Sequence, residues 1–427
     1  MRRRLIWTLF LTGLLLQLVF IARVWRAWPS YPHMMGSSVV SDIVQYQHLI
    51  QPFLEAPRCE PSWKKSGNGL DLPGCFLPFL LGAPVLVTHD LRAAVFVVLL
   101  FHLAAGLLLV RTLRPSLGDR FTAFYLVVFW LSPWRLFHSG FIWEPNLLLL
   151  PAAAHLWGCW ASRDSARRLP SFVLGLACVL TPQIHPSALF LLALTAPLLS
   201  RRALRLSWVY FAAGVLAGAT PLIPAALSLF RGGGLSFSSA EGFLGRGFLY
   251  VQPVIRTFFF WFRLGSLSVG RMRFTSDCAS CVRASIGGEP QDAFWCRLVL
   301  VVGVLAAVSV VLPIVAGWSW LRDSRKPDQG TPEAWMRSYS TNALWALLIA
   351  GGLSPITLQT WHVVIALPAA CLPVAGWIDG RWPFQRRWVR ALVIVFLVAR
   401  LPIAGLLAFQ YPAFCLLPAP VAEKVLD

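Results

Sequence analysis

Two acidic residues stand in settings where a carboxylate can act as a base, and histidines, tryptophans and basic residues recur at spaced positions along the same chain. Asp42 lies in Ser-Asp-Ile-Val-Gln-Tyr-Gln-His (41–48), and Glu144 lies in Ser-Pro-Trp-Arg-Leu-Phe-His-Ser-Gly-Phe-Ile-Trp-Glu-Pro-Asn (132–146). The stretch Thr-Pro-Gln-Ile-His-Pro (181–186) adds Gln183 and His185, and Trp361 and His362 come later. A carboxylate can take the proton of an acceptor hydroxyl or amine while Arg, Lys or His neutralises a phosphate leaving group. Candidate cationic donors are Arg58, Lys64, Lys65, Arg135, His138 and His185, with Arg246, Arg256, Arg263, Arg271 and Arg273 in a later segment. Each has a plainer local reading as well. Ser41 and Asp42 suit a helix start, Pro145 after Glu144 suits a first helical position, and single arginines serve as snorkelling anchors.

The elements that must hold these residues are membrane helices. Of 427 residues, 57% are hydrophobic and 13% charged, and the mean hydropathy is +0.66. A soluble domain carries about 25% charged residues and cannot hide this much apolar surface. The net charge of +19 would suggest nucleic acid in a soluble chain. In a polytopic membrane chain it reports orientation, because Arg and Lys collect in short cytoplasmic loops. Twenty of the 37 basic residues fall in six segments, 2–4, 111–120, 162–170, 201–206, 321–338 and 379–390. Membrane lipids are therefore the expected partners and nucleic acid is not.

Apolar stretches that suit a bilayer run over 5–24, 91–110, 121–134, 145–161, 171–200, 207–230, 297–320, 341–357, 361–378 and 388–408. The first follows Arg2, Arg3 and Arg4 with no small-residue cleavage site after it, so it reads as a retained anchor. If all six basic segments are cytoplasmic, an even number of spans separates each from the next. That condition makes 72–88, with Pro73, Pro78 and Pro84, an interfacial or re-entrant helix pair on the outer surface. It makes 171–200 a hairpin with its tip at 181–186. The expectation is an all-α polytopic bundle of about 11 spans, one integral-membrane domain over 1–427 with the C-terminus outside and no soluble C-terminal domain.

The outer face then receives a first loop over 25–90, tips at 135–144, 182–186 and 358–362, a long loop over 231–296 and the tail from 409. Residues 39–54 read as an interfacial amphipathic helix that holds Asp42 just above the membrane. Twelve of the 18 acidic residues fall on this face and none lies mid-span, which argues against an ion-coupled transporter. His102, His155 and Arg400 lie deepest in spans and read as helix-packing groups. Cys59, Cys75, Cys278, Cys281 and Cys296 fall outside, where disulfides form, and Cys159, Cys178 and Cys371 fall in spans as small packing residues.

Four motifs in order resemble the GT-C type of lipid-linked-sugar glycosyltransferases, specifically the bacterial branch similar to protein O-mannosyltransferases and the lipid A aminoarabinose transferase. Asp42 and Tyr46 keep the family's spacing in the first outer loop, and Gly69-Leu70-Asp71-Leu72-Pro73 is similar to its second stretch. Ser132-Pro133-Trp134 with Trp143-Glu144-Pro145-Asn146 is similar to its next outer tip, and Gln183-Ile184-His185 to its Gln-x-His. The likeness covers about the first 230 residues, and Ile43 stands where the family places a second acid.

The resemblance implies an inverting transfer of a sugar from a polyprenyl-phosphate donor to a glycan, lipid or protein. Asp42 and Glu144 would be catalytic. Tyr46, Asp71, Lys64, Lys65, Arg135, His138, Trp143, Asn146, Gln183, His185 and His362 would bind substrate. It leaves room for a divalent cation held by Glu144. It implies a bacterial inner (cytoplasmic) membrane protein whose active site faces the periplasm or exterior. Two other readings stay open: a transporter or flippase of a lipid-linked intermediate, and a non-catalytic GT-C relative or polysaccharide polymerase or ligase. The first predicts intramembrane charge and repeated halves, and neither is visible in the sequence; Ile43 motivates the second.

Overall fold

The computed structural model describes residues 2–27, 53–55, 57–59, 62–65, 71–231, 251–268, 293–324, 330–353 and 359–409. They are dominated by helix. Five helical runs are long and apolar enough to cross a membrane: Arg3–Arg26, Leu91–Trp130, Trp208–Phe230, Leu300–Ser324 and Arg387–Ala408. By length and composition this is a helical membrane protein.

In chain order the helices are α1 (Arg2–Ala27), α2 (Phe76–Thr88), α3 (Val95–Tyr125), α4 (Pro133–Phe137), α5 (Leu149–Ala161), α6 (Arg168–Ile184), α7 (Leu189–Ser200), α8 (Trp208–Ala219), α9 (Ile223–Phe230) and α10 (Val251–Gly265). After them come α11 (Ala293–Ser309), α12 (Val311–Ser324), α13 (Pro332–Leu353), α14 (Leu367–Asp379), α15 (Arg387–Val398) and α16 (Arg400–Phe409).

The longest run is folded back on itself. Gly118 has φ 84° and ψ 172°, a conformation for which a side chain is strained, and it breaks α3 beside Pro115. A straight helix would separate residues 106 and 130 by about 36 Å. Instead a Cβ added at Gly106 would lie 2.7 Å from Trp130 Cζ3. The two legs are therefore antiparallel and meet along Trp130, which also stacks on Phe10 of α1 at 4.8 Å and donates to its carbonyl at 2.8 Å. A π-helical turn over Leu126–Trp130 ends the second leg. The α6/α7 pair is a second hairpin, tied at its base by a bridge between Arg167 and Leu206 and closed by His185–Ala188.

Three features depart from the sequence expectation. The all-α reading misses a small ribbon: β1 (Ser62–Lys65) pairs antiparallel with β2 (Asp71–Pro73), with Lys65 opposite Asp71 and Lys64 opposite Leu72. A disulfide between Cys59 and Cys75 closes its base. Residues 72–88 hold one helix, α2, and not a pair, because Pro84 is accommodated inside it and Pro78 falls in its first turn, where the missing N–H is not needed. The segment 231–296 is more than an outer loop. Its α10 enters the bundle, with Phe260, Trp261, Phe262 and Leu264 buried, and the Leu267 N–H donates to Ser309 Oγ at 2.9 Å. Ser309 stands about 22 Å along the helix from Ser324, so α10 stops partway through the bundle.

The deep polar residues link helices. His155 bonds Tyr339 Oη at 3.0 Å and Thr195 Oγ1 at 2.8 Å, joining α5, α13 and α7. Arg400 donates to the carbonyls of Val128 and Gly265, joining α16 to the π turn and to the C-terminus of α10. Its charge there favours the helix's carbonyl end.

Candidate functional site

The basic segments and the chemical motifs lie at opposite ends of the helices. Arg120 pairs with Asp379, Arg381 Nη2 donates to Ser319 Oγ, the Arg205 N–H to Ser162 O, and Trp335 Nε1 to Ala203 O. These contacts gather 111–120, 162–170, 201–206, 331–338 and 379–390 at one end. His185 stands about 25 Å along α6 from that end.

At the opposite end three tips meet, joined by α10 and the first loop. The Trp143 ring lies 5.5 Å from Trp361, and His185 lies 5.4 Å from His362. Arg256 of α10 donates to Gln359 Oε1 at 2.6 Å, and the Gln359 backbone N–H donates to His362 Nδ1 at 2.7 Å. The first loop reaches the same end through Cys75, whose N–H donates to Pro221 O at 3.3 Å. Gly74, at φ 90°, lies against Gln183: a Cβ there would meet Gln183 Oε1 at 2.9 Å.

Two of the tips are built by a proline and a polar cap. Ser132 accepts the Trp134 N–H and Pro133 opens α4, while Pro145 sits in the 3-10 turn Glu144–Leu147 that follows Trp143. Glu144 thus takes the helix-start position its neighbour suggested, and it is buried. His185 caps the turn Pro186–Ala188 by accepting the Ser187 N–H at 3.1 Å.

The first tip is recessed and not a surface loop. Arg135, His138, Glu144 and Asn146 are all buried. The Arg135 guanidinium bonds Gln17 Oε1 at 2.9 Å and Gly13 O at 3.1 Å and stacks 4.0 Å over Trp130, so it clamps α1 to this tip. Asn146 is fully used: Nδ2 donates to Phe141 O at 2.7 Å, Oδ1 bonds His138 Nδ1 at 2.8 Å, and its carbonyl accepts from His102 Nε2 at 2.9 Å. Asn146 therefore positions His138. Because the amide nitrogen is committed to Phe141, Oδ1 is the acceptor and His138 carries its proton on Nδ1, leaving the Nε2 lone pair buried without a partner among the described residues. Burial lowers His138 to about 4, so it is neutral and supplies no charge. His362 is also lowered to about 4, by burial and then by the charge of Arg256.

Gln183 ties α6 to α8 by donating to Gly218 O at 2.7 Å. Lys64, Lys65 and Asp71 lie on the ribbon. Asp42, Tyr46 and most of the helix expected over 39–54 lie outside the described residues. Among the described residues no group of three or more His, Cys, Asp or Glu is set to hold a metal ion. Sequence reasoning missed Gln359 and His102. Gln359 has no sequence signal, and His102 stood out only as a deep ionisable group.

No protein-family model, curated protein or solved structure matches the chain.

Proposed function

We propose that the chain is an inverting glycosyltransferase of the GT-C type with about eleven spans. It moves a sugar from a polyprenyl-phosphate donor to a glycan, lipid or protein at the outer face of a bacterial cytoplasmic membrane. The observation that carries this reading is the meeting of the tips at 132–148, 185–188 and 359–366, opposite the basic segments. They set an aromatic pair, Trp143 and Trp361, beside Glu144, His138, His185 and His362. Aromatic faces stack on sugar rings, and a recessed, water-poor site strengthens the pull of polar groups on developing charge.

In this reading Asp42 takes the proton of the acceptor hydroxyl. The acceptor oxygen forms its bond to the anomeric carbon from the face opposite the phosphate. The anomeric carbon–oxygen bond to the phosphate breaks, and polyprenyl phosphate leaves with the electron pair. Glu144, held rigidly by Pro145 after it and Trp143 before it, orients the acceptor. The His138 Nε2 lone pair accepts a hydroxyl from the same acceptor or from the sugar.

The test is sugar transfer by purified full-length protein from synthetic polyprenyl-phosphate sugars. Asp42→Asn and Glu144→Gln should each lower turnover by about 10²- to 10⁴-fold, the usual contribution of a positioned acid or base. Equal turnover in wild type and Asp42→Asn would remove Asp42 as the base. Transport of a lipid-linked sugar in vesicles without transfer would replace the reading by the flippase.

A further inference from the structure

The protonation of the two facing imidazoles is set by the backbone. His362 accepts the Gln359 N–H at Nδ1, and His185 accepts the Ser187 N–H at Nδ1. A backbone N–H can only donate, so each Nδ1 presents its lone pair. A neutral imidazole so engaged carries its proton on Nε2 and has no lone pair left for a metal ion. His362 therefore presents an N–H donor from Nε2, whereas His138 presents a lone pair there.

Among the described residues the cationic charge beside these rings meets no counter-ion. Arg256 uses one guanidinium N–H on Gln359, and Arg263 bonds the neutral Ser268 hydroxyl. The two guanidiniums flank one ring, 5.4 and 5.7 Å from Phe260, and Arg263 also lies 5.4 Å from Trp134. Among the described residues neither arginine meets a carboxylate. Two like charges on a half-buried helix face, beside an N–H donor, are stabilised by an anion seated between them and the ring.

We infer that Arg256 and the Nε2–H of His362, with His185 beside it, form a phosphate seat that binds its anion without a metal ion bridging through these histidines. Arg256 supplies the charge and a forked pair of donors, and the imidazole supplies a neutral donor whose direction Gln359 fixes. Gln359 is then a positioning residue that holds both, by its side chain to Arg256 and its backbone to His362. Anion binding by this seat stands on the geometry; that the anion is the phosphate of a lipid-linked sugar rests on the proposed transferase reading.

Binding of farnesyl phosphate, farnesol and inorganic phosphate to full-length protein in nanodiscs tests the seat. Farnesyl phosphate should bind more tightly than farnesol. Arg256→Gln should weaken it by about 10- to 100-fold, as expected for a lost charge-assisted hydrogen bond, and His362→Phe by about 3- to 10-fold, with farnesol unchanged. Should Arg256→Gln fail to fold, Arg256→Lys keeps the charge without the fork and should give an intermediate loss. Chelation by EDTA should leave the affinity unchanged. Competition by inorganic phosphate with the same variant dependence would show that the seat takes the free anion. A seat that discriminates farnesyl phosphate from farnesol without such competition takes the lipid-borne group.

Equal binding of farnesyl phosphate and farnesol, unchanged affinity in both variants, or loss of binding with EDTA would overturn the inference. Sugar transfer that survives both variants would overturn it while leaving the transferase standing. Phosphate-dependent binding with no transfer to any acceptor would do the reverse.

Discussion

The two ends of the helical bundle treat charge in opposite ways. At one end arginines meet carboxylates: Arg120 with Asp379, Arg114 with Asp119 at 2.7 Å, and Arg163 with Asp164 at 2.9 Å. At the other, among the described residues, Arg256 and Arg263 meet Gln359, Ser268 and aromatic rings and no carboxylate, and the imidazoles are locked by backbone amides and by Asn146. Asp90 and Arg92 pair at 2.7 Å on the rim of that end, away from the recess, and the Arg92 hydrogen bond holds the Asp90 carboxyl below its ordinary value. Paired charges near water contribute little and mainly set orientation. Donors that meet no carboxylate among the described residues suit an anionic or hydroxyl-rich ligand.

The sharpest way to break this comparison is topological. Thr88 stands exposed at the tip end and Ser165 exposed at the basic end. With Cys278, Cys281 and Cys296 replaced by Ser, an impermeant maleimide added to intact cells should label Thr88→Cys and leave Ser165→Cys unlabelled. Labelling of both from one side would mean that the two ends do not face opposite compartments. His138 and Gln183 are too buried to serve as label sites.

Acid should act on the tip end next. His138 and His362 have folded values of about 4 against an ordinary 6.5. Lowered values mean that the unfolded chain binds protons first as pH falls. Stability is then full above about pH 6.5 and is lost between there and about pH 4, at up to about 1.4 kcal/mol per pH unit for each histidine. Thermal unfolding in detergent across that window should show the loss, and a flat midpoint would mean that these rings are not held neutral. Smaller is the cost of Gly118→Val, which forces a β-branched residue to φ 84° and should destabilise by about 1–3 kcal/mol in the same measurement. Smallest is Arg120→Gln. Its pair with Asp379 is half exposed, so the loss should stay below about 1 kcal/mol and shrink with added salt.

Much of the architecture was legible because hydropathy and charge act locally. The hairpin at 181–186 followed from parity and two prolines, and it closes at His185–Ala188. The gathering of the basic segments at one end follows the same counting. Less legible was the fate of individual side chains. Arg135 and Arg256 look alike in sequence, yet one clamps α1 and the other bonds Gln359 beside His362. The ribbon was hidden because seven residues of strand carry too little pattern to register, although both cysteines that close it were visible as residues on the outer face. The descent of α10 was hidden because its arginines and aromatic residues resemble an interfacial loop until Phe260 and Trp261 are seen buried.

What the sequence by itself determined is the solvent and the order of the chain: apolar runs, breakers and basic segments specify helices in a bilayer, because each acts on its own stretch of backbone. What only the tertiary structure decided is which polar atoms are left to do chemistry. Protonation of His138, His185 and His362 depends on partners 2 to 8 residues away that only a folded turn brings within bonding distance. The setting of Arg256 depends on what packs against α10 from a segment 103 residues distant.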